Sequence, residues 1–200
     1  MSRTFTAAMK HRRSHYALTN QSPVSNKEIE DLLKEVIKHV PSAFNSQTTR
    51  MVLLLGENHL KLWEIVKDTL KKRNSAKSFE QSEKKINNSF QSGYGTILFF
   101  EDNGIVKDLQ EAFPTFADNF PGWSLQTSAM HQFAVWTLLE DMGFGASLQH
   151  YNPLIDEEVL DTWKLPKNWK LISQMPFGIP AAQPGEKDFK DPNERVIIFK

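Results

Sequence analysis

The segment Arg12-Arg13-Ser14 places two guanidinium groups beside a hydroxyl at the end of a short predicted helix. Two guanidinium forks and a hydroxyl supply closely spaced donors of fixed geometry, which are suited to binding a phosphate or a polyol. The alternative is a solvated basic helix end that offsets the helix dipole. Composition alone does not separate these two interpretations.

A second polar segment, Pro41-Ser42-Ala43-Phe44-Asn45-Ser46-Gln47, lies between a predicted helix and a predicted strand. Loops held between rigid elements often carry binding groups. The amides of Asn45 and Gln47 can donate and accept at once, which suits a heterocycle with alternating N–H and C=O groups. Ordinary turn chemistry explains the same residues without a ligand.

Two further segments contain glycine next to polar side chains. In residues 143–153, glycine allows the backbone to approach a flat ligand, and Gln149 and His150 supply polar groups at a strand end. A helix C-cap followed by a strand and a turn is the alternative. Residues 178–187 form a proline-rich turn that ends in Lys187, which either binds an anion or is solvated.

Several kinds of functional site are excluded by the sequence. The glycine motifs of P-loops, dinucleotide-binding folds and hydrolase elbows are absent. The chain has no cysteine, which removes disulfides, thiol nucleophiles and cysteine-ligated metals. His11 and His15 stand at a spacing that can share a metal, but Arg12 and Arg13 between them would repel a cation. We therefore predict no metal site.

Overall composition predicts one soluble, cytoplasmic domain. The 200 residues fit a single domain, and a hydrophobic content of 40% is enough to build a core. Because 24 basic residues balance 24 acidic ones, we expect no general attraction to nucleic acid or to an anionic membrane. The first residues form no apolar secretory segment, and no run of about 18 apolar residues predicts a membrane span.

The elements that would position these segments predict an α+β architecture. Ser25 and Glu28 form a capping box that begins a helix, whose apolar stripe continues to Val40. Residues 74–88 lack clear periodicity and are expected to form a surface loop with one short helix near 84–90. We expect further helices at 4–13, 58–73, 126–142 and 156–163, and strands at 50–56, 96–100, 146–149, 170–175 and 196–199.

The predicted helix at 126–142 is the most apolar one in the chain. Because it is apolar around almost its whole circumference, we expect it to be buried on all sides, which in a chain of this length indicates a subunit interface. The preceding residues, 108–120, are rich in aromatic side chains and proline and are expected to form a mobile lid.

In their order and spacing, these segments resemble those of the nitroreductase family of FMN-dependent oxidoreductases. The resemblance begins with Arg-Arg-Ser at 12–14, includes PSAFNSQ at 41–47 and the helix–glycine–strand unit around 143, and ends with GIP…K…ERV at 178–196. PSAFNSQ together with LQHYNP at 148–153 is similar to a short bacterial and fungal branch, whose chains, like this one, are about 200 residues long.

The resemblance implies a central, mostly antiparallel sheet flanked by helices, in an intertwined homodimer with FMN at the subunit interface. It implies that Val196 to Phe199 pair with the partner's sheet, and that Asn45 and Gln47 reach the flavin from the other subunit. His15-Tyr16 departs from the family pattern, which often has a basic residue there. The FMN-binding residues implied by the matching motifs are Arg12, Arg13, Ser14, Asn45, Gln47, Leu148, Gln149, His150, Lys187 and Arg195.

The activity implied by the resemblance is a ping-pong reaction. NADH or NADPH transfers a hydride to flavin N5 and leaves, and a nitroaromatic, a quinone or a similar small-molecule oxidant takes its place. No side chain is then needed as a dedicated general acid or base. The candidates to line the acceptor pocket, with plain loop packing as the alternative, are Phe113, Phe116, Phe120 and Trp123.

Two other functions fit the same sequence. The chain could be a flavin-binding regulatory or sensor protein with little turnover, whose lid region serves a partner. It could also be a flavin-free dimeric interaction protein whose Arg12-Arg13-Ser14 segment binds another phosphate. Reduction of bound FMN by a nicotinamide nucleotide, followed by reoxidation by a nitroaromatic or quinone, separates the enzyme from both.

Overall fold

The computed structural model describes residues 3–200. The α-helices are α1 (Phe5–His11), α2 (Asn26–His39), α3 (Glu57–Arg73), α4 (Ala76–Ser89), α5 (Asn103–Ala112), α6 (Phe120–Asp141) and α7 (Asp156–Thr162). The strands are β1 (Leu18–Thr19), β2 (Thr49–Leu55), β3 (Gly95–Asp102), β4 (Gly145–Ala146) and β5 (Trp169–Pro180). Short 3-10 turns lie at Ala43–Asn45, Pro114–Phe116 and Pro192–Glu194. Between residues 3 and 200, no helix has the length and apolar character needed to cross a membrane.

The strands pair antiparallel in the order β1-β5-β3-β2, and β4 also pairs with β5. Strand β3 lies between β2 and β5, and all of its residues are buried. Leu98 and Phe100 of β3 face one core, whereas Ile97 and Phe99 face the other, as the alternation of a strand requires. The predicted α+β fold with a central antiparallel sheet flanked by helices is confirmed.

The sheet separates two hydrophobic cores. The first includes Trp63 of α3, Ile86 of α4 and Val159 of α7. The second includes Ile29 of α2 and Val135 of α6. Segments that leave the sheet on the second side, including α1 and the loop before β2, therefore pack against α6. Helix α6 thus contacts α1, the turn at Ala43–Asn45 and β4, which adjoin three of the segments with candidate binding residues.

Helix α4 corrects the expectation of a surface loop over 74–88. Ser75 caps the helix by accepting a hydrogen bond from the backbone N–H of Ser78. Only Ile86 of the helix is fully buried, with Phe90 directly after its end. So few buried positions leave little periodicity in the sequence, although the exposed helix is well formed.

The predicted strands at 146–149 and 196–199 are also corrected. Strand β4 ends at Ala146, and Gln149 returns to β5 only through an isolated bridge to Gln174. Residues 196–199 form no strand in the single chain, because no neighbouring strand is available there, and their side chains are 63 to 94% exposed. Conversely, β5 extends further than predicted, and its last residues pair with the short strand β1.

Helix α6 buries several polar side chains and exposes several large apolar ones. It begins at Phe120, earlier than predicted, and buries polar residues such as Thr127, Ser128 and Gln132. Its large apolar side chains Leu125, Met130, Phe133 and Leu138 remain 38 to 47% exposed. Burial on all sides is therefore not reached within the single chain, and the expected subunit interface over this helix stays a prediction. The expected lid at 108–120 contains the end of α5 and a 3-10 turn.

Candidate functional site

Arg12, Arg13 and Lys187 line one cavity of about 540 Å³ beside the end of α1. Helix α1 ends at His11 and leads directly into the two arginines, whereas Lys187 arrives from the segment after β5. None of the described residues that line the cavity is acidic, so its electrostatic potential favours an anion. We call this cavity the cationic cavity; the residues between 3 and 200 that line it are Met9, Lys10, Arg12, Arg13, Lys187 and Phe189.

The side chain of Arg12 lies against the ring of Trp136. Its guanidinium carbon lies 4.4 Å from the centroid of the Trp136 ring. Burial lowers the pKa of Arg12, and the nearby charge of Glu140 opposes that shift. The Nε atom of Arg12 is buried and has no hydrogen-bond partner among residues 3–200. Such a donor beside a cationic cavity is suited to an anionic acceptor.

The backbone around Arg12 is fastened on two sides. On one side, His11 donates a hydrogen bond from Nδ1 to Oε1 of the buried Glu140 on α6, at 2.8 Å. On the other side, the backbone N–H of His15 donates to the carbonyl oxygen of Ala146, at 2.9 Å, and Ser14 bridges to the same strand β4. The segment that connects α1 to β1 is therefore held between α6 and the sheet.

Asn45 and Gln47 lie in a loop with an unusual backbone. Phe44, Asn45 and Gln47 all have positive φ angles, of 57°, 51° and 49°. Non-glycine residues adopt this conformation at a cost of about 1–3 kcal/mol each, and they cluster at binding sites. Gln47 borders a second cavity, of about 460 Å³, separate from the cationic cavity. Its other polar lining residues are Lys38, Ser42, Ser46, Thr49, Arg50 and His131.

The segment 148–150 runs beside β5. The backbones of Gln149 and Gln174 exchange two hydrogen bonds, of 2.7 and 2.9 Å. The side chain of Gln149 donates to the hydroxyl of Ser147, at 3.0 Å. Leu148 packs against the second core, whereas His150 is exposed. The structure therefore holds the backbone of this segment firmly and leaves His150 free to contact a ligand.

Arg195 is not brought into the cationic cavity. It lines a neighbouring cavity of about 420 Å³ together with Lys190 and Val196. Phe189 borders both cavities, and its ring lies 5.0 Å from Nζ of Lys187. Arg195 and Lys187 thus line different cavities, and Phe189 borders both of them.

The four aromatic candidates form one cluster around Phe44, which the sequence did not single out. The Phe44 ring lies 5.0 Å from Phe113, 5.8 Å from Phe116 and 5.3 Å from Phe120, between ring centroids. Phe120 is the buried member of the cluster, whereas Phe113 and Phe116 are partly exposed. Phe44 therefore joins the loop of Asn45 and Gln47 to the aromatic segment.

A buried polar network beneath the second cavity was also missed by sequence reasoning. Glu101 accepts hydrogen bonds from the hydroxyls of Thr49, at 2.6 Å, and Ser124, at 2.5 Å. His131 donates from Nδ1 to the carbonyl oxygen of Thr127, at 2.9 Å, which leaves Nε2 as the acceptor. Burial lowers the pKa of His131 and favours this neutral form. No sequence motif marks this network, because its members come from three separate elements, β2, β3 and α6.

Comparison with known proteins agrees with these observations. A model described as the Nitroreductase family matches residues 9–179. Nitroreductase FRM2 of Saccharomyces cerevisiae is 34% identical over 184 residues, which cover 91% of this chain and 91% of that protein. Nitroreductase CinD from Lactococcus lactis, solved in complex with nicotinic acid, has a TM-score of 0.91 and 44% identity, covering 98% of this chain and 100% of that one.

Two further comparisons concern ligands of similar proteins. The Lactococcus lactis protein has also been solved with chloramphenicol and with 4-nitrophenol. A nitroreductase with bound FMN from Desulfitobacterium hafniense has a TM-score of 0.73 over 100% of both chains, but its 12% identity shows only a shared fold. The family match covers most of the sequence, and the curated relative and the solved structure extend over almost all of it. The chain therefore belongs to the nitroreductase family of oxidoreductases.

Proposed function

We propose that this protein is an FMN-dependent oxidoreductase that uses NADH or NADPH to reduce nitroaromatics, quinones or similar small molecules. The observation that carries this proposal is the convergence of Arg12, Arg13 and Lys187 in one cavity without an acidic lining residue. Two residues of this set come from one end of the chain and the third from the other, so their meeting is a property of the fold. We expect this reaction to take place in the cytoplasm.

The cationic cavity fits the phosphate of FMN. Two guanidinium groups and an ammonium group supply several charge-assisted donors, and the buried Nε of Arg12 lacks an acceptor. Ser14 lies beside β4, two residues from Arg12, where its hydroxyl would contact the ribityl chain. Leu148, Gln149 and His150 would contact the ring. Arg195 would hold the chain terminus rather than the phosphate, because it lines a different cavity from Lys187.

We further propose that the site is completed in a homodimer. The exposed apolar side chains of α6 are continuous with α1, since the Phe5 and Phe133 rings lie 6.5 Å apart. Burial of these side chains against a second copy would remove apolar area from water. Asn45 and Gln47, which lie outside the cationic cavity in the single chain, would then approach the flavin of the partner subunit.

FMN, when bound, supplies a flat ring that accepts and donates a hydride. The chain orients this ring, and NADH or NADPH and the oxidant use the same face in turn. The partly exposed rings of Phe44, Phe113 and Phe116 offer aromatic surface for a planar oxidant. The aromatic ligands of the Lactococcus lactis relative support this substrate class.

The purified protein, tested anaerobically by visible absorption, separates the candidate functions. We expect a flavin spectrum that bleaches with NADH or NADPH and recovers with a nitroaromatic. Arg12→Ala is expected to weaken FMN binding, whereas Arg73→Ala, which removes the same charge at the end of α3, is expected to leave it unchanged. Bound FMN without turnover would indicate the sensor, and a chain that takes up no FMN would leave only a flavin-free interaction protein.

The oligomeric state is tested independently by light scattering during gel filtration. We expect a mass of two chains for the wild type. Leu138→Lys, on the exposed face of α6, is expected to shift this mass towards one chain. A wild-type protein that elutes as one chain and still binds FMN would contradict the shared site.

A further inference from the structure

Trp136 supports the underside of the Arg12 guanidinium. The two residues belong to different elements, because Trp136 lies in α6 and Arg12 follows α1. The guanidinium carbon lies 4.4 Å from the indole centroid, within the range of a cation–π contact. The indole itself packs against the second hydrophobic core, so its position is fixed by the interior of the protein.

The remaining neighbours of Arg12 do not fix its direction. Glu140, one helical turn after Trp136, acts on Arg12 through its charge, but its Oε1 accepts from His11 and its Oε2 has no hydrogen-bond partner between residues 3 and 200. Arg13 repels Arg12 and lines the same cavity. Among residues 3–200 the buried Nε of Arg12 therefore has no hydrogen-bond partner, and the guanidinium lies against the face of Trp136.

We propose that Trp136 is a positioning residue, which holds Arg12 in the geometry that binds the phosphate of FMN. This inference rests on the proposed function. A free arginine side chain has many rotamers and loses this freedom when it binds a ligand. Stacking on a fixed ring removes part of that freedom before binding, so less is lost when the phosphate arrives. The ring also leaves the guanidinium edge, with its N–H donors, free for phosphate oxygens.

The Nε1 atom of Trp136 supports this assignment. It is buried and has no hydrogen-bond partner among residues 3–200. A buried indole usually donates from this atom to an acceptor. Because the structure gives Trp136 no such bond, the hydrogen-bonding capacity of the indole does not explain its place, whereas its contacts with the second core and with the Arg12 guanidinium do.

The test compares FMN with riboflavin, which has the same ring and ribityl chain but no phosphate. Binding of each flavin to flavin-free protein is measured by fluorescence titration for the wild type, Trp136→Met and Trp136→Phe. We expect Trp136→Met to weaken FMN binding about tenfold and riboflavin binding less than twofold. We expect Trp136→Phe, which keeps an aromatic face, to lose only about threefold for FMN.

The matched control is Trp163→Met. Trp163 follows the last residue of α7 and does not line the cationic cavity. It is expected to lower the melting temperature without changing the ratio of FMN to riboflavin affinity. If Trp136→Met does not fold, the selective loss of FMN in Trp136→Phe decides the question. Equal losses for both flavins, or none, would overturn the inference while leaving the proposed function intact. A wild-type protein that binds neither flavin would overturn the proposed function and the inference together.

Discussion

Arg13 donates a hydrogen bond from Nη2 to the backbone carbonyl oxygen of Gly185, at 2.6 Å. The two residues lie at opposite ends of the chain, and the bond ties the segment after β5 to the segment after α1. Lys187 follows two residues later and lines the same cavity as Arg13. Arg13 thus has two roles, since it contributes charge to the cavity and holds the segment that brings in Lys187.

Arg13→Ala is expected to loosen residues 185–189 as well as to remove a charge. Loss of a hydrogen bond with one charged partner should increase the backbone hydrogen exchange of this segment about fivefold. Mass spectrometry of the C-terminal peptide measures this change. Arg73→Ala serves as the charge-matched control, because Arg73 lies in the last turn of α3. Unchanged exchange in Arg13→Ala would show that the bond to Gly185 does not hold the segment.

At position 44, we expect glycine to be less destabilising than alanine, which is the reverse of the usual order in helices and strands. Phe44→Ala removes the ring at the centre of the aromatic cluster and should lower the free energy of unfolding by about 2 kcal/mol. Phe44→Gly removes the same ring but relaxes the positive φ angle of 57°. Glycine should therefore be about 1 kcal/mol less destabilising than alanine.

Urea unfolding of the two Phe44 variants and the wild type measures this difference. In an ordinary helix or strand, glycine is the more destabilising of the two residues. Ala8→Gly, inside helix α1 where the wild-type residue is already alanine, provides that comparison. If glycine is also the worse residue at position 44, the left-handed backbone described here is not the conformation in solution.

Gly178 is expected to tolerate no side chain. A Cβ atom there would lie 2.3 Å from the carbonyl oxygen of Thr19 and 3.0 Å from the backbone nitrogen of Tyr94. Both contacts are with backbone atoms, so Gly178→Ala must separate β5 from its neighbours and should cost about 2–3 kcal/mol. Gly185→Ala has open space around it and should change stability by less than about 0.5 kcal/mol. Thermal and urea unfolding compare the two variants.

His59 is expected to make the fold sensitive to mild acid. Its Nδ1 lies 2.9 Å from the hydroxyl oxygen of Thr96, and burial lowers its pKa to about 4, from an ordinary value of 6.5. Between these two pH values the unfolded chain takes up a proton that the folded chain does not, so the contribution is present above pH 6.5 and is lost as the pH falls towards 4. The loss is roughly 3 kcal/mol.

This dependence is measured as the free energy of unfolding between pH 7 and pH 4 for the wild type and His59→Gln. The glutamine variant has no titrating group at this position, so its stability should fall less steeply. His39→Gln, in an exposed histidine at the end of α2, is the control and should follow the wild type. Parallel curves for the wild type and His59→Gln would mean that His59 becomes protonated without unfolding the chain.

The predictable part of the fold is the part with strong local patterns. The capping box of Ser25 and Glu28 is confirmed, with both hydrogen bonds present. The apolar run at 96–100 lies inside the fully buried strand β3. Helix α4 could not be predicted, because it buries few apolar side chains and so shows little periodicity. Strand β1 could not be predicted, because a strand of two residues is too short to show any periodicity.

In the candidate site, the charged residues could be predicted from the sequence, but the residues that position them could not. Adjacent arginines and a lone lysine are visible in the sequence, whereas their convergence depends on the path of the chain after β5. Trp136 could not be assigned, because an aromatic residue in an apolar helix has the same pattern as a core residue. Phe44 was equally hidden, since its place in the aromatic cluster depends on a backbone angle that phenylalanine rarely adopts.

The last strand of the sheet ends at Pro180, but two of the residues that line the cationic cavity, Lys187 and Phe189, come after it. A product of premature translation termination between these points would keep every strand and both hydrophobic cores, yet it would lack one wall of the cavity. A fusion tag or a processing site near this terminus carries the same hazard, so integrity of the last residues should be verified by intact mass before any preparation is judged inactive.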